Sequence, residues 1–374
     1  MTEIYLIRHT QAEGNRYRIM QGHWDGDITA LGERQIELLA ERFRDVPVTA
    51  VYSSDLYRAR RTAEAAARWR QLPIQTDKRL REINIGPWET AFFGNLLHDE
   101  PEQVGCFLHE PERFSLAGAE TFAQVGERAL EALEEIARAN EGGVVAVVSH
   151  GVTIRCLLSR ITGIALEETE ALPICRNTAV THLTWDGERF TLDFFNDDSH
   201  LDTLAAPHWN RNNAVRHERL DPGADAAYYT ACYADAWRCA HGDLEGFSAP
   251  VYLRSAQAHH RADPDSVLRM LIDEEPIGLV DMDTRRGALA GYGWLTLLYL
   301  KPEYRGQGYG IQLLGRVYRK YQQLGRRSVR LTVAVQNQTA RDFYAREGFV
   351  PLGYERGRKD LLLLERKLGG PRHG

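Results

Sequence analysis

The chain has 374 residues, which is more than a single compact core usually holds, so we expect two domains. Hydrophobic residues at 43%, charged residues at 26% and a net charge of −6 are ordinary for a globular protein and exclude a basic footprint for nucleic acid or an anionic membrane. Five cysteines without metal-ligand spacing, no signal-peptide pattern and no apolar run of roughly 20 residues lead us to expect a cytoplasmic protein with reduced thiols and no membrane span.

The amino-terminal half begins with an apolar, β-branched run at residues 4–10, which predicts a buried parallel strand that ends in Arg8 and His9. Strands and helices then alternate. This alternation predicts an α/β domain over residues 1–204, with a doubly wound, mostly parallel sheet and helices on both faces. The other predicted elements are a helix that Thr29 caps, a strand at 48–54, a helix at 55–65, an extended segment at 80–89, an irregular lid at 90–118, a helix at 119–139, a strand at 144–151, a helix at 152–158 and antiparallel strands at 179–185 and 190–195.

Basic residues and histidines collect where these strands end. Arg8 and His9 follow the first strand, Arg58 lies in the first turn of a helix, and His150 with Gly151 ends the strongest strand. Ligands of open α/β sheets bind outside the carboxyl ends of the strands, so one pocket can contain all of these residues. Arginine donors and a helix N-terminus suit a dianionic phosphoryl group and need no metal ion.

His9 is the candidate nucleophile of this pocket. A neutral imidazole can attack phosphorus in line and form a phosphohistidine, which water then hydrolyses. The leaving alkoxide needs a proton, and Glu82 is the acidic residue best placed to supply it. A single histidine is more often structural than catalytic, but two histidines that end two strands favour the catalytic interpretation.

Several short segments, in this order, carry a family pattern. They are Leu6-Ile7-Arg8-His9 with Asn15 and Gln21-Gly22, Ser53-Ser54-Asp55-Leu56 with Arg58-Ala59 and Thr62-Ala63, Leu80-Arg81-Glu82 with Gly86 and Trp88, and Val148-Ser149-His150-Gly151. Over roughly residues 1–204 the sequence resembles the histidine phosphatase superfamily (phosphoglycerate-mutase-like). The resemblance implies a small phosphorylated metabolite as substrate, His9 as nucleophile and Glu82 as proton donor. It also implies a set of phosphate ligands, namely Arg8, Asn15, Arg58, His150 and the helix N-terminus at Gly151.

Two positions depart from the family pattern. Thr10 stands where many members have glycine, and Thr90 follows Trp88-Glu89 where glycine is frequent. Neither touches the predicted chemistry, so both bear on substrate fit. The lid is short compared with that of true phosphoglycerate mutases, which favours a phosphatase, and a mutase-type phosphotransferase is the alternative.

The carboxy-terminal half centres on the glycine-rich loop at residues 305–310, between a predicted strand and a predicted helix. Alternating glycines allow backbone N–H groups to surround a pyrophosphate. A polar stretch at residues 205–213 predicts a linker, and the second domain is expected over 214–368. His259 and His260 are predicted to be a solvated loop pair. The other predicted elements are a strand at 214–220, a helix at 226–240, hairpin strands at 267–272 and 276–282, a strand at 294–300, a helix at 311–324, a strand at 328–335 and a helix at 339–346.

The loop, Asn337 and Glu347-Gly348-Phe349 together resemble the GNAT acyltransferase superfamily. The resemblance implies an α+β domain with a mixed, mainly antiparallel sheet, acetyl-CoA as cofactor and a small-molecule or peptide amine as acceptor. It implies that Asn337 contacts the pantetheine and that Tyr344 donates a proton to the departing thiolate. The pyrophosphate is expected on the backbone amides of Arg305, Gly306, Gln307, Gly308, Tyr309 and Gly310.

One position departs from the acetyltransferase pattern. Many members carry a glutamate on the strand before the loop, and Thr296 occupies that place. The base then comes from elsewhere, for example Asp281 or Asp283, or the acceptor arrives neutral, or the domain only binds CoA as a sensor or scaffold. The leading hypothesis is a bifunctional enzyme, a metal-independent phosphomonoester hydrolase fused to an N-acetyltransferase.

Overall fold

A computed structural model describes residues 1–168, 170–204 and 215–369 of the chain. Residues before the gap at 205–214 form one compact unit, and those after it form a second. The predicted linker at 205–213 and residue 214 lie outside the described residues. Within the described ranges, no helix combines the length and apolar character needed to cross a membrane. The cysteines are free thiols, all buried except Cys239.

The first unit is an α/β structure around a mostly parallel sheet of order β3-β2-β4-β1-β5-β6. Its strands are β1 (Thr2–Arg8), β2 (Ala50–Ser53), β3 (Ile74–Thr76), β4 (Val144–Ser149), β5 (Val180–Trp185) and β6 (Phe190–Asp197). Its helices are α1 (Glu13–Tyr17), α2 (Ala30–Arg42), α3 (Tyr57–Ala67), α4 (Phe93–Asp99), α5 (Pro101–His109), α6 (Phe122–Ala139) and α7 (Gly151–Thr162). β1 pairs in parallel with β4 and antiparallel with β5, so the first strand has one antiparallel neighbour that the sequence did not indicate.

Alternate side chains of the central strands enter separate cores on the two faces of the sheet. Leu6 and Val147 pack in a cluster with residues of α6 and α7. Ile7 and Val148 pack on the opposite face with residues of α2 and α3. Because side chains alternate along a strand, a strand buried on both faces needs this continuous apolar run. The predicted doubly wound arrangement is confirmed.

The segment predicted as an irregular lid is helical. Residues 90–118 contain α4, α5 and a short 3-10 helix, and their apolar side chains pack around the buried indole of Trp88. Glycine and proline at the helix ends hide the short helical periods in the sequence. The predicted extended segment at 80–89 was also wrong in part, because Lys78–Leu80 and Gly86–Trp88 are 3-10 turns.

The second unit contains a mixed, mainly antiparallel sheet of order β12-β13-β11-β10-β9-β8-β7, in which β10 and β11 are parallel. Its strands are β7 (Val215–Arg219), β8 (Val267–Ile272), β9 (Glu275–Asp283), β10 (Tyr292–Leu300), β11 (Ser328–Ala334), β12 (Val350–Glu355) and β13 (Arg358–Lys367). Its helices are α8 (Ala226–His241), α9 (Ala249–Ala262), α10 (Tyr309–Gln323) and α11 (Gln338–Arg346). The sequence predictions missed α1, β3, α9, β12 and β13.

The prediction of a solvated histidine pair was wrong. His259 and His260 lie on α9, and His259 is buried against the acidic side chains of β9. The apolar face of α9 is short and interrupted by polar residues, which made its helical period hard to recognise in the sequence.

Candidate functional site

The candidate phosphate site lies at the carboxyl ends of β1 and β4. Arg8 is in register with Ser149 across this parallel pair, and the N–H of His9 donates to the carbonyl of Ser149 at 2.9 Å. His9 and His150 therefore leave the sheet side by side, with their ring centroids 5.0 Å apart. Parallel pairing thus brings together two residues that are separated by most of the domain's sequence.

His9 is buried and held in one orientation. Its Nδ1 lies 2.6 Å from the carbonyl oxygen of Thr10, which can only accept, so Nδ1 carries a hydrogen. Burial, followed by the positive charges of Arg58 and Arg8, holds the pKa of His9 well below its usual value. The imidazole is therefore neutral, and Nε2 carries the lone pair that a nucleophile needs.

His150 and Arg58 are both fully buried beside His9. Burial, then Arg58 and His9, keep the pKa of His150 well below its usual value. Among the described residues, neither ring nitrogen of His150 has a hydrogen-bond partner, and the same holds for Nε of Arg58. Buried polar atoms without partners are costly, so these atoms fit an absent ligand with acceptor oxygens.

The side chain of Arg58 is held by the loop at residues 22–25, between α1 and α2. Its guanidinium donates to the carbonyls of Gly22 at 2.7 Å and Trp24 at 3.0 Å. The carboxylate of Asp25 lies 3.5 Å away. In turn, Glu89 accepts hydrogen bonds from the backbone N–H groups of this loop. Asp25 and Glu89 were not predicted from the sequence, and they position the loop that holds Arg58.

Gly151 begins α7 and lies against Arg8. A Cβ at this position would be 2.8 Å from Ile174 and 3.3 Å from the guanidinium of Arg8, so a larger residue would displace both. The Arg8 guanidinium also donates to the carbonyl of Cys175. The amide of Asn177 donates to the carbonyl of His9 at 2.9 Å and lies 3.4 Å from Oδ1 of Asn15. Asn177 is a site residue that sequence reasoning missed.

Glu82 lies at the N-terminus of α7. Its carboxylate accepts hydrogen bonds from the N–H groups of Ile83, Val152 and Thr153, at 3.1, 3.2 and 3.1 Å. The Thr153 hydroxyl is also 3.1 Å from the carboxylate and 2.7 Å from the carbonyl of Arg81. Two backbone N–H groups and the Thr153 hydroxyl therefore fix this carboxyl group at the N-terminus of α7.

A cavity of about 160 Å³ opens beside these groups and is lined by Arg8, His9, Asn15 and Glu82. The rest of its described lining is mainly apolar, comprising Ile19, Met20, Ile83, Ile85, Phe107 and Val152. Gln21 also lines it, and its buried side-chain oxygen has no partner among the described residues. The contribution of Phe107, from α5, agrees with the prediction that residues 90–118 cover the site.

The structure shows where both departures from the family pattern lie. The hydroxyl of Thr10 is buried and donates to the carbonyl of Gly32 at 2.7 Å. Thr90 has φ 68°, in the left-handed region that glycine adopts without strain. Neither residue is among those that line the cavity.

The glycine-rich loop of the second unit joins β10 to α10. Gly306 has φ 76° and Gly308 has φ 88°, conformations that favour glycine. Gly308 is the N-cap of α10 and supplies no side-chain cap to the first turn. The side chain of Arg305 turns back to the carbonyl of Leu300 and to Asp235, so this residue offers its backbone to the loop. The first turn of α10 is a suitable anion site.

Strands β10 and β11 are paired only from Tyr292 to Trp294 on β10, and further along the chain they are no longer paired. A β-bulge lies at Thr296, between Leu295 and Leu297. Tyr344 is buried on α11, and burial raises its pKa, which keeps its hydroxyl protonated. The side-chain oxygen of Asn337 accepts from the N–H of Ala340 at 3.1 Å, so this residue caps α11.

Comparisons with known proteins match each unit to a family. Residues 4–198 match the model of the histidine phosphatase superfamily (branch 1), and residues 229–349 match that of the acetyltransferase (GNAT) family. A probable phosphoglycerate mutase GpmB of Yersinia enterocolitica is 31% identical over 210 residues, which cover 55% of this chain and 97% of that protein. The corresponding protein of Serratia proteamaculans is 32% identical, with the same shares covered. The solved structure of Bacillus stearothermophilus YhfR has a TM-score of 0.52 and 33% identity, over 54% of this chain and 100% of that one.

Proposed function

Because the chain belongs to the histidine phosphatase superfamily and also carries a GNAT domain, we propose that it is a bifunctional enzyme. The first unit hydrolyses a small phosphomonoester through a phosphohistidine on His9. The second transfers an acetyl group from acetyl-CoA to an amine. The observation that carries the first activity is the neutral imidazole of His9, held beside His150, whose two ring nitrogens have no hydrogen-bond partner among the described residues.

In the proposed reaction, Nε2 of His9 attacks phosphorus while the bond to the alcohol oxygen breaks. Arg8, Arg58, His150 and the N–H of Gly151 stabilise the charge on the phosphoryl oxygens. Glu82 gives its proton to the departing oxygen. Its carboxylate then takes a proton from water, which attacks the phosphohistidine and releases inorganic phosphate.

The names of the relatives favour a phosphoglycerate mutase as a second candidate. A phosphoglycerate brings a carboxylate as well as a phosphate, and a mutase must bind both anionic ends. Among the described residues that line the cavity, Arg8 is the only arginine or lysine, and the wall beyond the phosphate site is mainly apolar, with Gln21 as a neutral polar residue. These features support a phosphatase for a small, largely uncharged alcohol.

The nucleophile can be trapped directly. Brief exposure to a ³²P-labelled phosphomonoester should leave a phosphoryl adduct that is labile in acid and stable in alkali. H9A should give no adduct and no phosphate release. A normal rate of phosphate release by H9A would refute the mechanism, and dependence of turnover on a bisphosphorylated cofactor would favour the mutase.

The acetyltransferase proposal rests on the loop between β10 and α10. Left-handed glycines, a helix N-terminus without a side-chain cap and two parallel strands that are paired over only part of their length fit a pyrophosphate followed by an extended pantetheine. The backbone N–H groups of residues 305–310 would hold the pyrophosphate, and Tyr344 would protonate the thiolate. Bound acetyl-CoA would supply the acetyl group as a thioester.

A screen for CoA release separates an enzyme from a CoA sensor. Acetyl-CoA affinity is measured by calorimetry, and CoA release is then followed over a panel of amines, while phosphate release is followed over phosphorylated metabolites. Tight binding without CoA release would favour a sensor. A product of the first unit that the second acetylates would place both activities on one molecule, whereas unrelated substrates would contradict a shared pathway.

A further inference from the structure

A buried, hydrogen-bonded cluster joins α8, α9 and β9 in the second unit. Asp281 has no exposed surface, and its carboxylate accepts from the hydroxyl of Tyr229 at 2.7 Å and from Nδ1 of His259 at 2.7 Å. The other ring nitrogen of His259, Nε2, lies 3.5 Å from Oδ2 of Asp283 and 3.3 Å from the hydroxyl of Ser255. One nitrogen of the imidazole is therefore fixed by a buried carboxylate, and the other is directed toward a second carboxylate.

This cluster lies at the point where β10 and β11 cease to pair. Asp283 is in register with Trp294 of β10, and Trp294 is in register with Arg330 in the last pair between β10 and β11. Asp281 is in register with Leu297, the first paired residue after the bulge at Thr296. Opposite residues of an antiparallel pair lie about 5 Å apart, so the two carboxylates lie on either side of the bulge, one strand away.

The two carboxylates differ in exposure. The side chain of Asp283 is 26% exposed, and its Oδ1 accepts from the N–H groups of Arg285 and Arg286, each at 3.0 Å. Those bonds fix the carboxylate with Oδ2 near His259. A buried ion pair is weak evidence for a purely stabilising role, because apolar contacts hold a helix on a sheet at least as well. The oriented imidazole beside a partly exposed carboxylate is an arrangement typical of proton transfer.

We propose that His259, oriented by Asp281, is the general base of acetyl transfer, and that Asp283 binds the ammonium group of the acceptor. This inference rests on the acetyltransferase function proposed above and names the base that Thr296 cannot supply. An N–H bond of the ammonium group breaks, and its proton moves to Nε2 of His259. The nitrogen lone pair forms the bond to the acetyl carbonyl carbon, the C–S bond breaks, and the thiolate takes a proton from Tyr344. The new amide nitrogen then loses its second proton, which returns to the Tyr344 oxygen.

The charges around His259 define the pH dependence. Burial disfavours the protonated imidazole, but the hydrogen bond and charge of Asp281, together with Asp283, outweigh burial and raise the pKa of His259. Tyr229 of α8 and Ser255 of α9 are the other titratable or polar groups in the cluster, and Tyr321 of α10 donates to the backbone carbonyl of Asp283 at 3.3 Å. The neutral base therefore forms on the alkaline side of pH 6.5, and kcat/KM should rise through that ionisation.

The test compares H259Q and D281N with K320M, a control variant that loses a different ion pair. Lys320 pairs with Asp263 at 2.7 Å near the end of α9 and lies outside the cluster, so K320M removes an ion pair from the same helix. Acetyl-CoA is the donor, and ethanolamine, benzylamine and glycine amide are the probe amines. H259Q should lower kcat by about 10²- to 10⁴-fold and leave acetyl-CoA affinity unchanged. D281N should move the rise of kcat/KM to lower pH, and K320M should leave both quantities unchanged.

Each outcome decides between the two proposals. If the wild-type enzyme acetylates a probe amine and H259Q does so at the same rate with the same pH profile, the inference about His259 is wrong and the acetyltransferase stands. If the wild-type enzyme binds acetyl-CoA and acetylates none of the amines, the acetyltransferase fails and the inference fails with it. Unchanged acetyl-CoA affinity in H259Q and D281N shows that these variants are folded.

Discussion

Replacing Glu82 with glutamine tests its role through both stability and chemistry. Both carboxylate oxygens of Glu82 accept hydrogen bonds from backbone N–H groups. In glutamine an NH2 group replaces one of these oxygens, so in either orientation of the amide this NH2 group faces a backbone N–H and cannot accept its hydrogen bond. One lost hydrogen bond with an unsatisfied donor costs about 1–3 kcal/mol, and loss of the negative charge at the N-terminus of α7 costs about 0.3–1 kcal/mol. We therefore expect E82Q to lower the free energy of unfolding by about 2 kcal/mol, or the melting temperature by about 4–8 °C.

The chemical effect of E82Q should depend on the leaving group. An alkoxide needs a proton to leave, so kcat/KM for an alkyl phosphate should fall by about 10²- to 10⁴-fold. A nitrophenolate leaves without one, so kcat/KM for p-nitrophenyl phosphate should fall by less than about tenfold. The values of kcat/KM for the alkyl, phenyl and p-nitrophenyl esters measure this trend, because they cover the steps up to departure of the alcohol and not the later hydrolysis of the phosphohistidine.

Glu89 supplies the matched control for this experiment. Its carboxylate also accepts backbone N–H bonds, from Gly22, His23 and Trp24, at 3.2, 2.6 and 2.9 Å. E89Q should lower stability by a similar amount and change the rates on all three esters by one common factor. An equal loss on all esters in E82Q as well would refute the assignment of Glu82 as proton donor.

Three further predictions concern the backbone and the buried histidines. T90G should raise the free energy of unfolding by about 0.5–1 kcal/mol in thermal unfolding, because relief of left-handed strain exceeds the entropy that glycine loses. Lowering the pH from about 7 to 5.5 should lower the free energy of unfolding measured in urea titrations. Histidines of the unfolded chain take up protons near their ordinary pKa of 6.5, whereas burial and neighbouring cations hold the pKa values of His9 and His150 well below it in the folded protein. The loss is at most about 1.4 kcal/mol per pH unit for each histidine, and H150N should reduce it. G308A should weaken acetyl-CoA binding about tenfold in calorimetry, whereas G325A, also at a left-handed glycine but outside the loop, should not.

The grouping of the candidate phosphate-site residues could be predicted largely from sequence, because parallel strands place their carboxyl ends at one edge of the sheet. Arg8, His9 and His150 each follow an apolar run that is recognisable by itself, and the rule for open α/β sheets then brings them together. Asn177 could not be predicted in this way. It lies in an irregular segment before β5, and only the antiparallel pairing of β5 with β1 brings it to His9.

The fold predictions failed where the local signal was short. α4 and α5 have only two turns or so each, and β3 has three residues, so neither periodicity nor composition distinguishes them from loops. The packing around Trp88 shows why the helices of this region could not be predicted from local sequence. Its indole is fully buried and donates to Glu100 at 3.0 Å, so the helices over the site are fixed by a tertiary core.

The base proposed for the second unit shows a stricter limit of prediction from sequence. A family pattern assigns a role to a position, and the pattern has no candidate when Thr296 occupies it. In the structure, ionisable side chains near Thr296 come from two other elements. Strand β9 carries Asp281 and Asp283, and helix α9 carries His259. His259 is separated from Asp281 by 22 residues, and the register of β9 with β10 is what brings their pair to the bulge. If His259 is the base, a search confined to the pattern's own positions misses it, because it lies on a neighbouring element.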